Sequence, residues 1–134
     1  MSAALLLATA PAMGQSFEPV IVVNEKAITQ FEIVQRARFL NALGASGDAL
    51  ALAREQLIND RLREAVIERF EIEVTEEEID QSVANFAGTR GLEVGELYAG
   101  LDGAGIAEET LRQFLAVQIG WRNFVQRRFA AARG

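Results

Sequence analysis

The stretch Val74 to Ala87, VTEEEIDQSVANFA, decides how this chain folds. Three consecutive carboxylates, Glu76, Glu77 and Glu78, stand between a threonine and apolar residues at helical spacing. Thr75 and Glu78 have the spacing of a capping box: the threonine hydroxyl accepts from the backbone N–H near Glu78, and the Glu78 carboxylate returns to the N–H of Thr75. Such a cap contributes about 1 kcal/mol, and each acid in the first turn adds about 0.3–1 kcal/mol by facing the positive end of the helix dipole. Ile79, Val83 and Phe86 then form the buried stripe. A catalytic role for the three glutamates needs a base or a metal partner, and the surrounding sequence supplies neither. They mark the start of a helix.

Upstream, the apolar positions Leu50, Leu57, Ile58, Leu62, Ala65 and Val66 describe one stripe of a long helix from Ala49 to Phe70. Arg54, Glu55, Asp60, Arg61, Arg63, Glu64 and Glu68 fall mostly on its remaining surface. The loop before it, GASGD from Gly44 to Asp48, ends in an aspartate suited to cap it. Earlier still, Thr29 and Glu32 repeat the capping-box spacing, and Ile33, Val34, Ala37 and Leu40 predict a helix from Gln30 to Leu43. Val20 to Val23 is a β-branched run that stops at the turn-prone Asn24. A lone short strand is unstable, so it pairs either with Ala27 and Ile28 or with a segment from elsewhere.

Downstream, GTRGLEVGELYAGLDGAG from Gly88 to Gly105 is broken by glycines and leaves room for a short helix over Val94 to Leu101. Gly100, Gly103 and Gly105 read G-x-x-G-x-G with no strand before and no Lys-Ser/Thr after, which argues for a flexible connection and against a phosphate loop. The last helix starts near Ala107 with Glu108 and Glu109 in its first turn. Arg127, Arg128 and Arg133 near its end suit the negative pole of the dipole. Leu111, Leu115, Gln118, Arg122, Val125 and Phe129 make one row along it, and Phe114, Val117, Trp121 and Phe124 a second. So wide an apolar arc is either covered by neighbouring helices on both rows or left partly open for a partner.

Composition excludes whole classes of chemistry. The 134 residues are 50% apolar, enough to close a single core. The formal charge of −6 repels phosphate backbones, so nucleic acid is not an expected partner. No histidine and no cysteine occur, which removes the commonest general base and metal ligand, thiolate nucleophiles and disulfides. No catalytic residue, metal or cofactor is expected. The first residues, MSAALLLATAPAMGQS, carry an apolar run from Ala3 to Ala10 followed by Ala12-Met13-Gly14. That pattern predicts a signal peptide over 1–14, cut before Gln15, with its positively charged start missing and therefore lying upstream of Met1. No later segment reaches the ~18 apolar residues a membrane span needs, so a soluble exported chain without stable membrane insertion is expected.

Taken in order, the pieces resemble the N-terminal domain of the SurA family of periplasmic chaperones and parvulin-type prolyl isomerases. The likeness is carried by VIVVNEKAITQFEI, by REQLINDRLREAVIERFEIEVTEEEIDQSVANFA and by LYAGLDGAGIAEETLRQFLAVQIGWRNFVQRRF, and spans Pro19 to Phe129. It implies a mostly α domain over 15–134, an irregular bundle of about five helices preceded by a short β-strand or hairpin. It further implies a periplasmic chaperone that binds unfolded outer-membrane protein segments. Members continue into parvulin domains and are completed by a segment from the far C-terminus, and neither is present in these residues. The chain is then a fragment of a longer product or a stand-alone module. Two other functions stay open: a substrate-recruiting arm of a prolyl isomerase whose catalytic domain lies outside this chain, and a self-association or docking module. Apolar arc and aromatic content nominate Leu97, Tyr98 and Leu101 on the short helix, with Phe114, Trp121 and Phe124 on the last, as candidate client-binding residues.

Overall fold

A computed structural model describes residues 19–133; the expected signal peptide at 1–14 lies outside them. The described chain is a two-stranded antiparallel hairpin followed by five helices. The strands are β1 (Pro19–Val23) and β2 (Lys26–Thr29), with Val23 opposite Lys26. Asn24 and Glu25 between them both have positive φ, 49° and 67°, the twist that a two-residue hairpin turn requires. Ala27 and Ile28 are thus the partners of the apolar run. Alternation turns Ile21, Val23 and Ile28 onto α1 (Gln30–Ala42) and α2 (Ala49–Arg69) and leaves Val20 and Val22 exposed.

Each helix starts where a side chain satisfies its free N–H groups. Thr29 caps α1 and Asp48 caps α2; Thr75 caps α3 (Glu76–Gly88). The reciprocal half of the two expected boxes is absent. Glu32 accepts from Arg61, and Glu78 accepts from Asn123 at 3.0 Å, so both carboxylates tie their helix to a remote one. A full capping box does form where none was expected, between Glu93 and Glu96 at the start of α4 (Val94–Gly103). The glycine-broken segment is an ordered helix stop and not a slack connection. Gly105 takes φ 73° just past α4, and the N–H groups of Gly105 and Ile106 bond to Asp102 and Leu101 at 2.9 and 2.8 Å.

The long α5 (Glu108–Arg133) closes the structure. One apolar cluster joins Phe39, Ile79, Val83, Leu97, Leu101, Ile106, Leu111, Leu115 and Ile119 from α1, α3, α4 and α5. A second joins Ile28, Ile33, Ala37, Leu40, Ala53 and Leu57 from β2, α1 and α2. Gln35 is buried between the helices and works as a remote cap: its Oε1 accepts from Ala107 N at 2.9 Å and from the Thr110 hydroxyl at 2.8 Å, while its Nε2 donates to Gly105 O. Arg36, also buried, donates to Asp60 at 2.6 Å and Gln56 at 3.1 Å. The expected α2 stripe is only partly used. Of its members Leu57 is shut in and Ile58, Ala65 and Val66 are partly buried, but Leu50 and Leu62 are exposed, and Ala53, outside that stripe, is fully buried instead.

Candidate functional site

The six candidate residues fall into two groups. Leu97 and Leu101 point into the larger cluster, buried to 5% and 7% exposure, so in this fold they are core and not an open surface. Tyr98 packs against the same cluster, and its hydroxyl accepts from Arg112 at 3.2 Å. Arg112 also donates to Asp80 at 2.8 Å and Glu76 at 2.7 Å; these bonds, with the Tyr98 hydroxyl foremost, raise its pKa above the ordinary arginine value. Phe114 meets Phe39 edge-on at 5.0 Å, and the Arg36 guanidinium lies 5.1 Å from its ring. Partly buried, it packs against the larger cluster from α5 and is held by Phe39 and Arg36 of α1.

Trp121 and Phe124 lie apart from these, one turn from each other on α5, where that helix meets the end of α2. Gly120 creates the meeting. A Cβ there would stand 2.7 Å from Ile67 Cδ1 and 3.2 Å from Val74 Cγ2, so the missing side chain lets the helices close. Trp121 and Phe124 are 5.2 Å apart, and Phe124 lies 5.2 Å from Phe70, the residue that ends α2. Phe70 is a third member of the site that helical spacing could not disclose, since it comes from another element. Its carbonyl accepts from Arg127 at 2.8 Å, which satisfies one of the free acceptors at the end of α2 and fixes α5 against it.

The aromatic row stays half open. Leu62, Phe70 and Phe129 are exposed, and a cleft of about 360 Å³ is bounded by Asn59, Leu62, Arg63, Val66 and Trp121. Guanidinium groups lie over the rings: Arg63 5.2 Å from Trp121, Arg69 5.7 Å from Phe70 and Arg128 6.0 Å from Phe124. Arginines and aromatic rings together form a broad amphipathic surface.

A larger groove of about 610 Å³ lies along another flank of α2, floored by Ile67, Val74, Ala116 and Val117. Its charged walls are occupied with one another: Lys26 with Glu68 at 2.7 Å, and Arg61 with both Glu32 and Glu64. Burial pushes the Glu64 carboxyl above its ordinary value, with Arg61 opposing that rise. A ligand entering this groove has to break existing ion pairs, whereas the arginines bordering the aromatic face form no ion pair among the described residues.

Comparison with protein-family models, with curated proteins and with solved structures finds no match to this chain. No helix among the described residues is long and apolar enough to cross a membrane.

Proposed function

We propose that this chain is a periplasmic chaperone domain that binds unfolded segments of outer-membrane proteins and keeps them from aggregating. The observation that carries the proposal is the partly exposed aromatic face of Trp121, Phe124 and Phe70 beside a cleft of about 360 Å³. The sequence resemblance supports the same reading. Holding an unfolded segment needs adaptable apolar surface and no reactive group, which suits a chain without histidine or cysteine. Ordering a flexible client costs conformational entropy, so each contact is weak and exchange is fast. Should the parent protein be a prolyl isomerase, this domain recruits its substrate.

The direct test is suppression of aggregation. The chain should slow precipitation of a urea-denatured β-barrel protein diluted into buffer, and Trp121→Ser/Phe124→Ser should lose that protection with helical circular dichroism retained. Unchanged protection by the double variant removes this face from the proposal. A tight dimer in sedimentation, indifferent to denatured barrel protein, favours the docking-module alternative instead.

A further inference from the structure

The aromatic face is basic in a chain that is acidic overall. The formal charge is −6, yet from Thr110 to Arg133 the last helix has no Asp or Glu and carries Arg112, Arg122, Arg127, Arg128 and Arg133. Arg112 is engaged by Glu76 and Asp80. Arg63, Arg69, Arg127 and Arg128, which border the aromatic row, have no carboxylate partner among the described residues. The acids that neighbour Arg63 and Arg69 along α2 are turned elsewhere: Asp60 to Arg36, Glu64 to Arg61 and Glu68 to Lys26. Glu71 and Glu73 on the link after Phe70 are the next acids in sequence.

We infer that this face selects unfolded segments in which an aromatic or large aliphatic side chain is flanked by Asp or Glu. The inference rests on the chaperone reading and adds a client preference to it. An apolar anchor enters the cleft beside Trp121, and the flanking carboxylates meet Arg63 on one side and Arg128 on the other. Arg63 and Arg128 lie within cation–π range of the rings, at 5.2 and 6.0 Å, and their planar guanidinium groups present N–H donors suited to paired hydrogen bonds with a carboxylate. Segments flanked by lysine meet the same arginines as like charges. A nucleic-acid backbone would also find the arginines, but it is opposed by the net negative field of the chain.

Peptides sharing one Tyr/Leu core and flanked by Asp, by Ser or by Lys separate the possibilities, with binding read from the fluorescence of Trp121, the only tryptophan. The Asp-flanked peptide should bind about tenfold more tightly than the Lys-flanked one at low ionic strength, the ratio approaching unity as salt rises to about 0.5 M. Arg63→Gln/Arg128→Gln should erase the preference and leave the Ser-flanked peptide unaffected, while Arg63→Lys/Arg128→Lys should retain it. Equal binding of all three peptides overturns the charge selection and leaves the chaperone reading standing. Binding of none, together with loss of aggregation suppression, removes both. Anionic lipid vesicles that outcompete the Asp-flanked peptide overturn the inference in favour of a membrane surface.

Discussion

The same helix serves two regions that differ in how they treat aromatic side chains. Around the first half of α5, Phe114 packs against the fully buried Phe39 at the edge of a cluster built from α1, α3, α4 and α5. Along its second half, Trp121, Phe124 and Phe70 pack as closely, at 5.2 Å, but they join neither apolar cluster, and Phe70 and the nearby Phe129 are exposed. Ring contact is therefore no measure of closure. A further helix layer separates a core from a surface able to receive something else.

The largest effect that can break this contrast is on stability. Phe39→Ala should destabilise the fold by about 3–5 kcal/mol, because a fully buried ring leaves a cavity the cluster cannot fill. Trp121→Ala should cost less, about 1–3 kcal/mol, since its ring is only partly buried. Chemical denaturation of both variants checks the pair, and equal losses would place Trp121 in the core. Next comes Gly120→Ala, whose new methyl meets Ile67 and Val74 and forces α5 away from α2. It should cost about 1–3 kcal/mol and shift the Trp121 emission of the free chain, as the aromatic row loses its backing.

A smaller effect tests the cap at the opening of α3. Thr75→Ala should cost about 1 kcal/mol, because Thr75 Oγ1 accepts from Glu78 N at 3.1 Å. The smallest concerns Glu64. Burial raises its carboxyl above the ordinary 4.5, so in that window the folded chain binds more protons than the unfolded one. Stability contributed by this group accordingly falls as pH rises from 4.5 through the raised value. Glu64→Gln should melt slightly higher than the parent at pH 7, with the gap closing as the pH drops below about 4. A gap that widens in acid would show that the Arg61 contact outweighs desolvation.

The fold was legible because its punctuation is local. Thr29, Asp48 and Thr75 cap the helices they precede, and the β-branched run pairs with residues only a turn away, so a few neighbouring residues suffice to place each element. The site was legible only in part, for the opposite reason. Helical spacing says which residues share a face but not what lies over it, so Leu97 and Leu101 looked as available as Trp121 and Phe124. Phe70 joins them from another helix, and Glu78 is diverted from its own cap by Asn123 on α5, far along the chain. Gly120 sits in an unbroken helix, where nothing local announces that Ile67 and Val74 need the space its missing side chain leaves.

The central claim is that unfolded polypeptide settles on the α2 and α5 face, and the single tryptophan stands there to report it. Denatured barrel protein without tryptophan, titrated into the chain, should shift Trp121 emission saturably, with a midpoint matching the concentration at which the chain halves aggregation. Emission that stays flat while aggregation is nonetheless suppressed would put the client elsewhere on the molecule and contradict the claim.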